Sequence, residues 1–276
     1  MRYDETMSQT GDTYIQTKDL QKSFTVGEGQ VAILKDLNIE IKRGDFVIIF
    51  GPSGCGKSTL LHTLLGLEKP SGGSVAIDGK DFYSLNDDER AIFRRHNIGI
   101  IYQQPLWISS LNVINNVVFT LHLLNLEQHV LDEKAMQALT LVGMDKWAYY
   151  RPTELSSGQQ QKISLARAMA LDPKLIVADE PTGNLDTNSG RDLINTFLSF
   201  NDKGITIIMV THDLEYLKYG NRIIHMIDGE VVEEKVSERG KRFSAGIDGK
   251  KTDKDISMDS NVHDRDFLSK LKQGNK

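Results

Sequence analysis

The chain has 276 residues, of which 39% are hydrophobic and 26% charged, and it carries a formal net charge of −5 with a pI of about 5.8. Such an acidic composition does not indicate nucleic-acid binding, and a single cysteine excludes an intrachain disulfide and favours a reducing compartment. The polar, acidic N-terminus predicts no signal peptide, and no stretch reaches the ~20 apolar residues of a transmembrane helix. We expect a soluble protein, or one held at a membrane by a partner.

The first half of the chain alternates β-branched and apolar runs with turn residues, which predicts strands at 14–24, 31–41, 46–50, 74–80 and 98–102. The first two strands are predicted to be joined by a loop at 26–30. A charged segment at 87–95 predicts a short helix. Residues 1–13 are polar, and we expect them to be disordered.

The next part of the chain is helical. Between residues 111 and 142, apolar residues recur at helical spacing, at Val113, Val117, Leu121, Leu124, Ala135, Leu139 and Val142. This pattern predicts a separate helical lobe, and a further helix at 158–171 is expected to end before Pro173. The near-continuous apolar runs 175–178 and 205–210 favour strands that are covered on both faces, as in a parallel sheet.

The end of the chain changes in character at residue 234. Residues 223–227 and 230–232 flank Asp228-Gly229 and predict a hairpin. Residues 235–276 are charged and polar, which predicts a flexible tail in which Phe267, Leu268 and Leu271 form at most one short amphipathic turn.

A phosphate-binding motif follows the strand at 46–50. Residues 51–58 read G-x-x-x-x-G-K-S and precede an apolar helical run, so strand, glycine loop and helix follow in the order that this motif requires. The glycines allow the backbone to turn its N–H groups toward anionic oxygens, Lys57 supplies a charge for the β- and γ-phosphates, and Ser58 is the expected Mg²⁺ ligand. The predicted phosphate-binding residues are Gly51, Pro52, Ser53, Gly54, Cys55, Gly56, Lys57, Ser58 and Thr59.

A pair of acids ends the apolar strand at 175–178. Asp179 is predicted to hold Mg²⁺, directly or through water, and Glu180 to polarise the attacking water. Together with the phosphate loop, this pair predicts a nucleotide triphosphatase.

Residues 155–161, Leu-Ser-Ser-Gly-Gln-Gln-Gln, open the helix before the acidic strand. They resemble the Leu-Ser-Gly-Gly-Gln signature of the ATP-binding cassette family, and further motifs follow in the order of that family. The resemblance implies an α/β P-loop NTPase fold with a mixed sheet core, an N-terminal antiparallel β subdomain and a helical subdomain. The cassette would span residues 14–234, with its helical lobe at about 104–170.

The family's motifs assign roles to four further positions. Gln103 matches the Q-loop glutamine, which would sense Mg²⁺ and the γ-phosphate, and His212 matches the switch histidine. With Glu180, these are the predicted catalytic residues. Asp186 matches the D-loop, and Phe24 stands where the family places an aromatic ring that stacks on adenine.

The signature segment consists of Ser156, Ser157, Gly158 and Gln159, and in the family it binds ATP held by another cassette. Ser157 stands where the family usually has glycine. A Cβ at this position would crowd the approach of nucleotide if the backbone needs a positive φ, whereas the hydroxyl would otherwise add a donor.

The resemblance implies a pair of cassettes that close head to tail on two ATP molecules and release after hydrolysis. The motifs are most similar to a bacterial group that serves lipoprotein release, macrolide and peptide export, and cell division. This implies a membrane permease with a large extracytoplasmic domain as the partner, and a peripheral position on the cytoplasmic face of the inner membrane. Two alternatives remain: a regulatory cassette that signals through its membrane partner, and a soluble cassette that acts in translation or DNA repair.

Three other features are interpreted separately. Leu106, Trp107 and Ile108 follow the Q-loop and either fill the core or line a docking groove for the permease. Cys55, beside a lysine and a helix N-terminus, is predicted to favour its thiolate. The other histidines are interpreted as packing or surface residues: His62, His96, His122, His129 and His225.

Overall fold

The structure is a computed structural model that describes residues 12–237. Disorder was predicted for residues 1–13 and flexibility for 235–276. Residues 1–11 and 238–276 lie outside the described residues, whereas Thr13 and residues 235–236 belong to strands and correct the two predicted boundaries. Within the described part, no helix has the length and apolar character needed to cross a membrane.

The described residues form eleven strands, six α-helices and five 3-10 helices. The strands are β1 (Thr13–Val26), β2 (Gly29–Leu37), β3 (Glu40–Lys42), β4 (Phe46–Phe50), β5 (Gly72–Ile77), β6 (Lys80–Asp81), β7 (Ile98–Ile101), β8 (Leu175–Asp179), β9 (Thr206–Thr211), β10 (Arg222–Ile227) and β11 (Glu230–Val236). The α-helices are α1 (Lys57–Leu64), α2 (Asp87–Asn97), α3 (Val113–Leu121), α4 (Gln128–Leu141), α5 (Ser157–Met169) and α6 (Thr187–Asn201). The 3-10 helices are Phe82–Ser84, His122–Leu124, Asp145–Trp147, Pro152–Glu154 and Leu214–Tyr219.

The first sheet is antiparallel and has the order β2-β1-β5-β6, with β3 also paired to β1. The predicted loop at 26–30 is too long, because Val26 pairs with Gly29 and only two residues form the turn. The second predicted strand, 31–41, is interrupted after Leu37, and its last part pairs with the beginning of β1 instead of its end. The fourteen-residue strand β1 thus holds two partners in succession along one edge.

The second sheet forms the core and has the order β11-β10-β4-β9-β8-β7. All neighbours are parallel except β10 and β11, so the sheet is mixed, as predicted. Every residue of β4 and β9 is buried, which explains their continuous apolar sequences. Because the strands are parallel, the ends of β4, β8 and β9 meet at one edge, where the site described below lies.

The hairpin of β10 and β11 turns at Asp228 and Gly229, both with positive φ. Gly229 N donates to the carbonyl oxygen of Cys55 at 3.0 Å, and Lys35 N donates to the carbonyl oxygen of Gly229 at 2.9 Å. The turn therefore joins the core sheet to both the phosphate loop and β2. Strand β11 continues to Val236, past the predicted cassette boundary at 234, because Val236 pairs with Arg222.

The helical region packs α3, α4 and α5 on one another. Its predicted apolar positions are buried in both α3 and α4, including Val117 and Ala135. Leu124 is an exception, since it lies in a 3-10 helix and is only half-buried. The predicted helix at 158–171 is α5, which begins one residue earlier and ends at Met169.

His225 is expected to make the stability of the core sheet depend on pH. Its ring stacks on Phe50 with centroids 4.3 Å apart, and burial lowers the imidazole pKa, with Glu233 opposing the shift. A depressed folded-state pKa means that protonation favours the unfolded chain, so stability should fall as the pH drops below the ordinary histidine value of about 6.5. Urea unfolding should show that the free energy of unfolding falls more between pH 7.5 and pH 5.5 for the wild type than for His225→Phe. Equal losses would contradict this role of His225.

Candidate nucleotide-binding and active site

The phosphate loop lies between β4 and α1, as its motif predicts. Gly54 has a φ of 81° and Gly56 of 102°, values that residues with side chains rarely adopt. A Cβ at Gly56 would also lie 2.9 Å from the carbonyl oxygen of Ile33. Among residues 12–237, no side chain caps the start of α1, so no described side-chain oxygen covers the N–H groups of its first turn. The loop therefore offers backbone donors and a helix N-terminus to an anion.

Lys57 lies within the curve of this loop. Its Nζ donates to the carbonyl oxygens of Gly51 and Pro52, both at 2.9 Å, and the residue is only 5% exposed. These contacts keep the ammonium group beside the loop backbone that the motif assigns to phosphate. The charge is thus placed to neutralise bound phosphate oxygens.

Cys55 corrects a prediction from the sequence. Its side chain is buried, and its Sγ lies 3.9 Å from Lys57 Nζ. Burial raises the pKa of the thiol, and this effect outweighs the lowering by the Lys57 charge and by backbone hydrogen bonds. The thiolate prediction is therefore wrong, because loss of solvation disfavours the charged form more than one neighbouring lysine favours it.

Ser58 and Asp179 come together at the edge of the core sheet. Ser58 Oγ donates to Asp179 Oδ1 at 3.3 Å, which joins the start of α1 to the end of β8. Burial raises the pKa of Asp179, while the Ser58 hydrogen bond opposes the shift. A hydroxyl and one carboxylate fit Mg²⁺, which usually takes one or two protein carboxylates and completes its shell with phosphate oxygens and water.

Gln103 was predicted to join this metal site. Its amide instead lies against Gly183, where an added Cβ would be 2.8 Å from Gln103 Nε2. In residues 12–237 its side chain makes no hydrogen bond to Ser58 or Asp179, so its metal role stays a prediction.

Glu180 and His212 form the second part of the site. His212 Nδ1 lies 3.1 Å from Glu180 Oε2, and the Glu180 side chain is only 21% exposed. Glu180 has a φ of 46°, a left-handed conformation that costs about 1–3 kcal/mol outside glycine and clusters at functional sites. The conformation is held by Glu180 N, which donates to Val210 O at 3.0 Å, and by Gly183 N, which donates to Glu180 O at 3.1 Å. A carboxylate oriented in this way by a histidine can polarise a water molecule.

Glu180 and His212 line a polar cleft of about 160 Å³. Its other polar lining residues are Thr182, Thr187, Thr211, Asp213, Glu215 and Tyr216. Sequence reasoning assigned most of them no site role; they come from two stretches of the chain, 182–187 and 211–216. The one available signal was Asp213, which directly follows His212.

The ABC transporter family model matches residues 34–183, more than half of the chain. The uncharacterized ABC transporter ATP-binding protein MJ1508 of Methanocaldococcus jannaschii is 44% identical over 219 residues, which cover 79% of this chain and 98% of that protein. The chain belongs to the ABC transporter family. It is an ATP-binding subunit and an ATPase of that family, as its motifs predicted.

Other relatives of this cassette carry functional names. The lipoprotein-releasing system ATP-binding protein LolD of Hyphomonas neptunium is 36% identical over 78% of this chain and 94% of its own. The macrolide export ATP-binding/permease protein MacB of Bdellovibrio bacteriovorus is 42% identical over 79% of this chain but only 33% of its own, so the cassette spans about a third of MacB. These relatives confirm the predicted similarity to the lipoprotein-release and macrolide-export group.

The fold is also similar to solved cassettes. A dimeric structure of the ATP-binding cassette MJ0796, in a post-hydrolysis state bound to ADP and Pi, has a TM-score of 0.75 and 35% identity, and covers 84% of this chain and all of that chain. This similarity confirms the predicted P-loop NTPase fold class.

The signature of the cassette forms the start of α5. Ser156 Oγ accepts a hydrogen bond from Gln159 N at 3.3 Å, and Gln159 Oε1 accepts one from Ser156 N at 2.9 Å, which makes a capping box. Ser157 is the first helical residue and does not have a positive φ. The first alternative for Ser157, in which its Cβ crowds the nucleotide because the backbone has a positive φ, is therefore excluded.

Replacing Ser157 by glycine, the usual residue of the family, should reduce stability without improving nucleotide binding. A glycine at the helix start costs at most about 1 kcal/mol, because it loses more conformational freedom on folding. Urea unfolding should detect this loss, while ATP titration should give a Kd within about twofold of wild type, a difference below ~0.5 kcal/mol. A clearly tighter Kd would show that the serine Cβ crowds the nucleotide after all.

The D-loop residue Asp186 caps α6. Its Oδ1 accepts hydrogen bonds from Asn188 N and Ser189 N at 3.0 Å, and its Oδ2 accepts one from Ser189 Oγ at 2.6 Å; these bonds lower the Asp186 pKa. A Cβ at Gly158 would lie 2.8 Å from Ser189, so signature and D-loop are neighbours. Within residues 12–237, signature residues make no hydrogen bond to the phosphate loop.

Phe24 lies on β1, opposite Val31, with 37% of its surface exposed. Lys22 Nζ lies 4.6 Å from the ring centroid and also forms an ion pair with Glu68 at 3.0 Å. One face of the ring is thus in contact with a cation. Adenine stacking stays a prediction.

Trp107 packs against α5, where its Nε1 donates to Gln160 Oε1 at 2.9 Å and the Arg167 guanidinium lies 4.8 Å from its ring. Leu106 beside it is 67% exposed. The cluster is therefore divided, with the indole partly inside the helical region and the leucine on the surface.

Proposed function

We propose that this ATP-binding subunit pairs head to tail with a second copy on two ATP molecules and drives a membrane permease. The carrying observation is the separation of its motifs. In the described part of the chain, the phosphate loop and Glu180 meet at one edge of the core sheet, while the signature caps its own helix and makes no hydrogen bond to that loop. A second copy would supply the missing signature, and the dimeric form of the similar MJ0796 cassette supports this arrangement.

Each residue of the site has a role in this proposal. Lys57 and the loop N–H groups bind the β- and γ-phosphates, and Phe24 stacks on the base. Ser58 and Asp179 would hold Mg²⁺, which neutralises phosphate charge when bound. Glu180 orients and polarises the attacking water, with His212 holding its carboxylate. Gln103 and Asp186 convey the state of the site to the helical region and the partner copy.

We propose a membrane permease with an extracytoplasmic domain as the second partner, bound on the cytoplasmic face. The similar MacB protein is named as ATP-binding protein and permease in one chain, whereas LolD is named as the ATP-binding protein of a releasing system. This chain is similar to the cassette part of the first and to nearly all of the second. The driven process is proposed to be export, lipoprotein release or mechanical transmission.

The test is affinity purification of Glu180→Gln protein from solubilised membranes of its own cell with MgATP, followed by mass spectrometry. A stoichiometric polytopic membrane protein with an extracytoplasmic domain is the expected result, and Lys57→Ala protein, which should not close on ATP, is the matched control. Recovery of a soluble dimer alone, or of ribosomes, would contradict the proposed permease partner. A permease that moves no substrate after reconstitution would favour the regulatory cassette.

A further inference from the structure

Gln161 is a buried residue in the second turn of the signature helix α5, with only 2% of its surface exposed. Its side-chain Nε2 faces three backbone carbonyl oxygens: those of Tyr102 at 2.9 Å, Gln103 at 3.3 Å and Pro181 at 2.9 Å. The first two belong to the Q-loop, and Pro181 directly follows Glu180. One amide therefore connects the signature helix to both segments that carry predicted catalytic side chains.

The carboxamide of Gln161 has only part of its hydrogen-bonding capacity satisfied. Three carbonyls share two N–H groups, and its Oε1 has no hydrogen-bond partner among the described residues. An apolar side chain of similar length would remove the unpaired Oε1, but it would also take the donor away from the three backbone carbonyl oxygens. The donors of the carboxamide are thus the reason for an amide at this position.

The contact to Pro181 supports a strained piece of backbone. Glu180 has the left-handed φ of 46°, and such conformations persist only where the surroundings fix them. Three hydrogen bonds hold it. Glu180 N donates to Val210 O, and Gly183 N donates to Glu180 O. Gln161 Nε2 donates to the next carbonyl along the chain, that of Pro181. Of these three contacts, only the last comes from a side chain, and only it comes from the signature helix.

We propose that Gln161 is a positioning residue for ATP hydrolysis. It places the backbone of Gln103 and Glu180 together, so that both side chains adopt their working positions only when α5 is in register with the core sheet. Because α5 begins at the signature, engagement of the signature by a second copy would reach the water-activating carboxylate through this one amide. The inference rests on the proposed role of Glu180 in orienting water.

The test compares Gln161→Met with Ser164→Ala. Ser164 lies on the same helix, is also buried, and its Oγ also has no partner among the described residues, which makes it a matched control. In Gln161→Met, kcat should fall roughly ten- to hundredfold through misplacement of the reacting groups, while KM and the ATP Kd stay within about twofold. Ser164→Ala should keep the wild-type kcat.

A Gln161→Met protein with the wild-type kcat would overturn the proposal. A parallel loss of kcat, ATP affinity and urea midpoint would overturn it too, since that pattern indicates a purely structural residue. If the Met variant does not fold, Gln161→Asn keeps a neutral carboxamide but shortens its reach toward the carbonyls, and the same selective loss of kcat is expected. Glu180→Gln is measured alongside. If it hydrolyses ATP at the wild-type rate, the proposed role of Glu180 is wrong. If Glu180→Gln is inactive while Gln161→Met is active, only the positioning role of Gln161 is wrong.

Discussion

Glu180→Gln is expected to lower kcat for ATP hydrolysis by about 10²- to 10⁴-fold, the usual contribution of a positioned general base. Binding of ATP should survive, because the phosphate loop, Lys57 and the Ser58–Asp179 pair are unchanged. Glutamine keeps the shape of the side chain and can still contact His212. ATP should therefore be trapped, and the paired form should persist in size-exclusion chromatography with light scattering.

Glu215→Gln is the matched control for this change. Glu215 lines the same cleft but forms an ion pair with Arg191 at 2.8 Å. The kcat of the Glu215→Gln protein should stay close to the wild-type value. If Glu180→Gln turned over ATP as fast as wild type, Glu180 would not be the residue that activates water.

Lys57→Ala should weaken ATP binding by about 10- to 100-fold, the equivalent of one charge-assisted hydrogen bond of ~1.5–3 kcal/mol. The lost ammonium also bonds the carbonyls of Gly51 and Pro52, so the loop itself should become less fixed. Titration with a fluorescent ATP analogue gives the Kd, and circular dichroism checks that the fold is retained.

Lys35→Ala controls for the loss of a positive charge near the site. Lys35 lies on β2, and its side chain pairs with Glu230 on the surface at 3.6 Å. Its ATP Kd should not change. A Lys57→Ala protein that binds ATP as tightly as Lys35→Ala would remove Lys57 from the phosphate site.

The sequence predicted where the candidate site residues lie when a motif carries its own local structure. A glycine loop between a buried strand and a helix fixes its geometry within a few residues, and the ends of parallel strands must meet at one edge. The pairing of Ser58 with Asp179, and of Glu180 with His212, follows from these two rules.

The features that the sequence did not predict depend on distant segments. The pKa of the Cys55 thiol is raised by burial next to the β10–β11 hairpin, and the residues adjacent in sequence do not reveal this burial. The division of the second strand depends on β1 being long enough to hold two partners. Gln161 was read only as part of a motif, because its three carbonyl partners come from two other segments.

The hairpin turn at Gly229 also sets the order in which the cassette can mature on the ribosome. The phosphate loop leaves the ribosome early, but the strands that flank β4 are β9 and β10, and the turn that bonds the Cys55 carbonyl follows β10. Such long-range contacts form only after both segments have been synthesised. A nascent chain that ends before residue 229 would carry the whole phosphate-binding motif yet lack its support. Competence to hold ATP is thus delayed until almost the entire cassette has been translated.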